Sequence, residues 1–99
     1  MESTEIVLDK NQRGELQLFS DGAKAGLMSI ALIDGKLVVY HTEVDEAYEG
    51  RGVAKILLEK LVSYARENKI MIVPLCPYVN AQFHRHPDIY KDVWFKKTI

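Results

Sequence analysis

Hydrophobic and polar residues alternate along much of the first half of the chain, the pattern of strands with one buried face. Residues 15–19 alternate strictly, and longer apolar or β-branched runs occupy residues 26–33 and 36–44. The Asp34-Gly35 pair between these two runs predicts a tight hairpin, because its turn requires two residues that accept positive φ. Residues 5–9 predict an additional outer strand. The pattern therefore predicts an antiparallel meander of three or four strands.

The periodicity changes after Gly52, where apolar residues recur at helical spacing: Ala54, Leu57, Leu58, Leu61, Val62 and Ala65. This predicts an amphipathic helix of about four to five turns that ends near Asn68, a residue that tolerates the left-handed cap conformation. The wholly apolar residues 70–73 follow, and they predict a short strand buried on both faces and stopped by Pro74. A strand that follows a helix in this way adds at least one parallel pairing to the sheet.

The last quarter of the chain is mixed. Residues 79–84 predict a short helix, Pro87 starts a further turn at about Tyr90, and Trp94 and Phe95 are expected to close the core or an interface. Ninety-nine residues suit one domain with one core. We therefore expect a single α/β (α+β) domain over residues 1–99, with a mixed sheet.

Composition excludes several classes of protein. The formal net charge of −1 lacks the broad positive field of a nucleic-acid binder, and the single cysteine rules out an internal disulfide framework. His84 and His86 stand two residues apart and belong to no recognised metal-ligand motif, so no metal site is predicted. No apolar run is long enough for a membrane span, and the chain starts without a signal peptide pattern. We expect a protein of the cytoplasm with no membrane partner.

Residues 48–55, Tyr-Glu-Gly-Arg-Gly-Val-Ala-Lys, join the meander to the helix. A helix leaves its first amide protons unpaired, and its dipole adds partial positive charge there. Gly50 and Gly52 allow the backbone to approach a bulky anion, and Arg51 and Lys55 can flank it. The segment predicts a phosphate or pyrophosphate pocket, although such a loop before a helix is also an ordinary turn. Neither of the usual nucleotide-binding glycine motifs is present.

This loop resembles the acyl-CoA loop of the GNAT N-acetyltransferase superfamily, Gln/Arg-x-x-Gly-x-Gly/Ala, through Gly52 and Ala54. Glu49 stands where that family has Gln or Arg, so its side chain is not expected to hold the pyrophosphate. The chain also resembles a subgroup of very short GNAT-like proteins. That likeness rests on residues 41–44 (His-Thr-Glu-Val), on residues 73–78 (Val-Pro-Leu-Cys-Pro-Tyr), and on Arg85-His86-Pro87 with Tyr90.

The resemblance implies that acetyl-CoA binds where the strands at residues 36–44 and 70–73 splay apart. The pantetheine arm would bond backbone groups of the first strand, and amides of the loop would hold the pyrophosphate. An asparagine of the next helix would turn toward the pantetheine. Carried onto this sequence, the implied cofactor-binding residues are Thr42, Glu43, Val44, Gly50, Arg51, Gly52, Val53, Ala54, Lys55 and Asn80.

The implied reaction is acetyl transfer to an amine, without a metal, by one of two routes. In the first, His41 or Glu43 removes a proton from the amine, which attacks the thioester directly. In the second, Cys76 is the nucleophile and forms an acyl-enzyme. The resemblance favours direct transfer, which is the usual route in that family. Each of these residues also has a purely structural interpretation, with Cys76 and His41 packed and Glu43 solvated.

Larger family members carry two helices between the first two strands, but residues 9–15 leave room only for a turn. The acceptor side is therefore expected to be open, which favours a protein side chain or another large molecule. Tyr90 is expected to pack rather than to protonate the departing thiolate. The alternative function is a non-catalytic acyl-CoA-binding or protein-interaction module.

Overall fold

The computed structural model of the protein describes residues 1–96, whose five strands form one sheet in the order β1-β2-β3-β4-β5. The strands are β1 (Glu2–Leu8), β2 (Arg13–Ser20), β3 (Ala23–Ile33), β4 (Lys36–Val44) and β5 (Met71–Pro74). The helices are α1 (Val53–Asn68), α2 (Pro77–Arg85) and α3 (Pro87–Tyr90), with a 3-10 turn at Glu46–Tyr48. The mixed α+β architecture is the one that the sequence predicts.

Tight turns of similar geometry close two of the three hairpins. Asp34 and Gly35 both have positive φ, 50° and 74°, so the predicted hairpin between β3 and β4 is confirmed. Asp21 and Gly22 repeat this geometry between β2 and β3, with φ of 49° and 86°. These two turns hold β2, β3 and β4 in antiparallel register, as the alternating pattern requires.

The β5 strand pairs in parallel with β4, as predicted, but it is not buried on both faces. Only Ile72 is fully buried in it, because Met71 and Val73 alternate onto the opposite face of the sheet, which no helix within residues 1–96 covers. The segment around Trp94 runs along its outer edge instead of a further strand: the Ile72 amide donates to the Val93 carbonyl, and the Phe95 amide donates to the Ile72 carbonyl. Pro74 is the last strand residue.

Helix α1 ends at Asn68, as predicted, but the left-handed residue is Lys69, with φ of 55°. The Asn68 side chain instead donates to the Tyr64 carbonyl at 2.8 Å. At the other end of the helix, Val53 is buried and Ala54 is only half-buried, so the apolar face begins one residue earlier than the spacing suggested. None of the helices in residues 1–96 is long and apolar enough to cross a membrane.

The sheet has two different faces. Its inner face packs against the helices in one hydrophobic cluster, to which the strands contribute Leu16, Leu18, Ala25, Met28, Ile30, Leu37, Val39 and Ile72. On its outer face, side chains lie in rows across the strands. The first row is Glu5, Gln17, Leu27 and Glu43, and the second row is Val7, Glu15, Ser29 and His41. Within residues 1–96 no helix packs against this outer face.

Only a turn at residues 9–12 joins β1 to β2, which confirms the prediction that residues 9–15 form a turn without inserted helices. The Asp9 carboxylate accepts from the amides of Asn11 and Arg13 at 2.8 and 3.1 Å, and these bonds hold the turn tight. Because no helices are inserted there, the outer face stays open beside β4.

Candidate active site

A fork opens where β4 and the chain after β5 separate. The Val39 carbonyl accepts from the amides of both Leu75 and Cys76, at 3.0 and 2.9 Å. Beyond this point β4 continues, while the segment that follows β5 turns into α2. The register between β3 and β4 skips Tyr40, since Ile30 pairs with Val39 and Ser29 with His41. A bulge of this kind bends its strand away from its neighbour. Beyond it, β4 has an edge without a strand partner in residues 1–96.

Cys76 lies at the base of this fork. Its side chain is 1% exposed, and its sulfur is 3.1 Å from the Thr42 hydroxyl oxygen across the gap. Cys76 is also the residue that precedes α2, so its sulfur is close to the positive end of a helix dipole. Cys76 therefore lies just past the end of β5 and before a helix, as the sequence predicts. Cys76 is thus buried at the start of a helix and faces a hydroxyl group across the gap.

His41 and Glu43 lie on the outer face, on the other side of β4 from Thr42. The His41 Nε2 atom is 3.2 Å from the Glu43 carboxylate, and the two side chains are 56% and 61% exposed. They share a face, as their alternation along the strand predicts. The structure therefore brings the candidate bases together but keeps them on a different side of the sheet from the candidate nucleophile.

The glycine loop leads from the open end of β4 into α1. Gly50 and Gly52 both have left-handed backbones, with φ of 80° and 74°, and Gly52 is the cap residue of the helix. The first helical bond runs from the Ile56 amide to the Gly52 carbonyl at 3.1 Å. Within residues 1–96 the amides of Val53, Ala54 and Lys55 donate to no backbone acceptor. Unpaired amides at the start of a helix can bind an anion.

The charged residues of the loop differ in their surroundings. Arg51 is exposed, and its guanidinium carbon is 5.5 Å from the centre of the Tyr48 ring. Lys55 lies at one end of a groove of about 750 Å³ between α1 and α2. Glu49 is exposed. Two cations thus flank the start of the helix, and neither forms a salt bridge within residues 1–96.

Tyr78 and Asn80 occupy different sides of α2. Tyr78 lines the groove that Lys55 also lines, and burial raises the pKa of its phenol above the usual value, so the phenol is neutral at physiological pH. Asn80 is exposed and is not among the residues that line this groove. Its carbonyl is 2.9 Å from the His84 Nδ1 atom.

Sequence reasoning missed Tyr78 and the bulge at Tyr40. Val79 and Phe83 are the buried side of α2, so a helical projection would have turned Tyr78 toward α1. Nothing in the local sequence marks Tyr40 as a bulge. No group of three His, Cys, Asp or Glu side chains within the described residues is arranged to hold a metal ion.

Three solved structures illustrate the similarity of this fold to known proteins. A GCN5-like candidate N-acetyltransferase from Staphylococcus aureus, determined by NMR, is 25% identical with a TM-score of 0.66 over 95% of this chain and 90% of that chain. The ribosomal-protein-S18-alanine N-acetyltransferase from Escherichia coli is 16% identical with a TM-score of 0.64 over 82% of this chain. A predicted acetyltransferase from Clostridium acetobutylicum, crystallised with acetyl-CoA, is 19% identical with a TM-score of 0.59.

The extent of these matches differs. The chain spans 54% of the length of the Escherichia coli enzyme. The match with the Clostridium protein covers 89% of this chain and 60% of that protein. No curated protein matches the sequence significantly. The family model described as GCN5-related N-acetyl-transferase matches residues 13–93, which include β2, the fork, the glycine loop and all three helices. The chain therefore belongs to the GCN5-related N-acetyltransferase family.

Proposed function

We propose that the chain acts as one N-acetyltransferase domain that binds acetyl-CoA and transfers the acetyl group to an amine. The observation that carries the proposal is the row of free amides at Val53, Ala54 and Lys55, at the same end of the sheet as the fork. A phosphate anion needs donors of this kind, and an extended arm needs a strand edge such as the one that β4 offers. Membership of an acetyl-CoA-dependent family supports the same ligand.

In this proposal the diphosphate of CoA binds the amides of the loop from Gly50 to Lys55, with Arg51 and Lys55 beside it. The pantetheine arm lies along the free edge of β4 at Thr42, Glu43 and Val44. The thioester then ends at the base of the fork, near Cys76. Asn80, which is exposed on α2, remains a proposed contact of CoA.

For the chemical step we place direct transfer first. A lysine-like amine is neutral in only about one in a few thousand molecules at pH 7, so a base must take its proton. The His41–Glu43 pair is exposed on the open face, where an amine can approach it. The amine nitrogen then attacks the thioester carbonyl, the carbon–sulfur bond breaks, and CoA leaves as a thiolate that takes up a proton.

The second route uses Cys76. Its thiolate would attack the thioester carbonyl and expel the CoA thiolate, and the amine would then attack the acetyl-cysteine and restore the thiol. The position before α2 and the contact with the Thr42 hydroxyl support this route. It ranks second because the side chain is 1% exposed and would need the fork to open.

Calorimetry with CoA tests the binding site. Gly52→Asp adds a carboxylate where the diphosphate would lie, so heat of CoA binding should be lost. Gly35→Asp is the matched control, because Gly35 has the same φ of 74° and open space around it, but lies in the hairpin at the other end of β4. Equal affinity of the two variants for CoA would overturn the assignment of the loop.

Incubation with acetyl-CoA followed by mass spectrometry tests the chemistry. A lasting acetyl adduct on Cys76 would favour the acyl-enzyme route, and CoA release that depends on an added amine without any adduct would favour direct transfer. Binding of CoA with neither adduct nor release across diverse amines would identify a non-catalytic acyl-CoA-binding module.

A further inference from the structure

The two outer edges of the sheet differ in what covers them. The segment around Trp94 runs along the β5 edge and forms two backbone hydrogen bonds with Ile72. The β1 edge has no such cover in residues 1–96, because β2 is the only strand that pairs with β1 there. An uncovered edge presents unpaired amides and carbonyls to any strand that approaches it. The β1 edge is therefore available for pairing with another chain.

The bonds at the two ends of β1 show which of its backbone groups point outward. The Asp21 amide donates to the Met1 carbonyl at 2.9 Å, and the Asp9 amide donates to the Arg13 carbonyl at 2.8 Å. In an antiparallel pair, positions that bond to the neighbouring strand alternate with positions that face away from it. The odd residues of β1 therefore bond to β2, and the even residues direct their amides and carbonyls outward. The even residues are Glu2, Thr4, Ile6 and Leu8.

The β1 strand lacks the features with which natural proteins protect an exposed edge. Those features include proline, lysine, a bulge, and a charged side chain that points inward. Glu2–Leu8 contains neither proline nor lysine, and its register with β2 is continuous. Thr4, Ile6 and Leu8 lie on the inner face, are uncharged, and are only half-buried, because α1 packs over β2 to β5. A partner strand beside β1 would cover more of this row.

Two copies of β1 are complementary in one antiparallel register. A two-fold axis at Ile6 sets Ile6 opposite its own copy and Thr4 opposite Leu8 of the second copy. These pairs use only outward groups and would form about six backbone hydrogen bonds. An axis at Glu5 would set that carboxylate against its own copy, which is unfavourable. An axis at Thr4 would set Glu2 opposite Ile6, and an axis at Val7 would leave Thr4 unpaired.

We propose that two copies of the chain associate through the β1 edge, about a two-fold axis at Ile6. The dimer is one continuous sheet that contains the five strands of each copy. It is closed, because each copy uses the same edge. The fork and the glycine loop lie at β4, with β2 and β3 between them and the interface, so both candidate CoA sites stay open. The inference goes beyond the proposed function and does not depend on it.

Sedimentation velocity of the untagged chain, at concentrations from micromolar to millimolar, tests the association. We expect a monomer–dimer equilibrium without larger species. Thr4→Pro removes an outward amide and leaves the bonds between β1 and β2 in place. Because symmetry removes two hydrogen bonds from the dimer, its dissociation constant should rise about ten-fold or more. Thr4→Val is the matched control, because it keeps the amide and the shape of the side chain, and it should retain the dimer.

Cysteine cross-linking tests the register. In the proposed dimer the two Ile6 Cα atoms form a hydrogen-bonded pair about 5.5 Å apart, a distance that a disulfide can span. Each Glu5 is diagonal to its own copy, at about 7–8 Å, which is beyond that reach. Mild oxidation should therefore cross-link Ile6→Cys but not Glu5→Cys. The unmodified chain supplies the background, because its single cysteine, Cys76, is 1% exposed.

The outcomes separate this inference from the proposed function. A monomer at every concentration, equal dimerisation of Thr4→Pro and Thr4→Val, or preferential cross-linking of Glu5→Cys would overturn the inference. Circular dichroism checks that Thr4→Pro is folded, and if it is not, the cross-linking comparison decides. The heat of CoA binding per chain should be the same for Thr4→Val as for the unmodified chain. Absence of that heat from an intact dimer would overturn the proposed function alone.

Discussion

The inner and outer faces of the sheet differ in what they contribute. The inner face is buried against the helices and contains Cys76 and its contact with Thr42. The outer face is exposed where it carries the His41–Glu43 pair. In the proposed function, Thr42 on the inner face serves the cofactor and the His41–Glu43 pair on the outer face serves the acceptor. The comparison teaches that alternation beyond the bulge at Tyr40 can separate these tasks within a strand of nine residues.

The sharpest way to break this comparison is to truncate neighbouring residues on opposite faces of β3. Met28 is fully buried on the inner face, and Leu27 is half-buried on the outer face. Met28→Ala should cost about 2–5 kcal/mol of unfolding free energy, because it leaves a cavity in the core. Leu27→Ala should cost about 1 kcal/mol. Urea denaturation measures both, and similar losses would contradict the division between the faces.

Activity should show the opposite ranking of the faces. His41→Ala on the outer face should lower kcat by about 10²-fold, the usual contribution of a general base, while leaving CoA affinity unchanged. Cys76→Ala on the inner face should change kcat only a few-fold if transfer is direct. Steady-state kinetics with a peptide amine measures both variants. A larger loss from Cys76→Ala, in a variant that still binds CoA, would move the chemistry to the inner face.

A methyl group at Gly26 tests how closely the inner face is packed beneath the loop. A Cβ there would lie 2.8 Å from both the Glu43 carbonyl oxygen and the Val53 side chain. Gly26→Ala should therefore cost about 1–3 kcal/mol and shift the end of β4 away from α1. Thermal denaturation and the amide spectrum of Glu43 measure the two effects. An unchanged amide signal of Glu43 would mean that only the Val53 side chain moves to make room for the methyl group.

The smallest expected effect concerns acid stability on the outer face. Hydrogen bonds from Gln17 and Lys24 lower the pKa of Glu15, so its folded pKa lies below the unfolded one. The stability from this group is present above the unfolded pKa, near 4, and is lost as pH falls through the folded pKa. Glu15→Gln should therefore flatten the stability profile below pH 5 by less than about 1 kcal/mol, since the pair is exposed.

Local chemistry explains why most of the fold could be predicted. Asp34-Gly35 fixes its hairpin through two residues, and the helical spacing after Gly52 needs no distant information. The burial of β5 was predicted wrongly because it depends on what packs over each face of the sheet, and no helix within residues 1–96 covers the outer face. An apolar run shows that a strand is hydrophobic but not what covers its faces.

The candidate site was predictable only in part, for the same reason. The glycine loop is contiguous, so its residues and its position before α1 could be deduced from the sequence. The Thr42–Cys76 contact joins residues 34 positions apart, and no periodicity relates them. The bulge at Tyr40, which opens the fork, comes from a register shift against β3 that only the paired strands reveal.

The backbone bonds between Ile72 and the segment at Val93 and Phe95 have a practical consequence for anyone who handles this protein. They tie the last described turn of the chain to the strand that forms one wall of the fork. A purification tag or a protease nick near Phe95 would therefore loosen that wall and, if the proposed function holds, weaken coenzyme binding from a distance. Tags fused ahead of Met1, beside the far edge strand β1, avoid this interference.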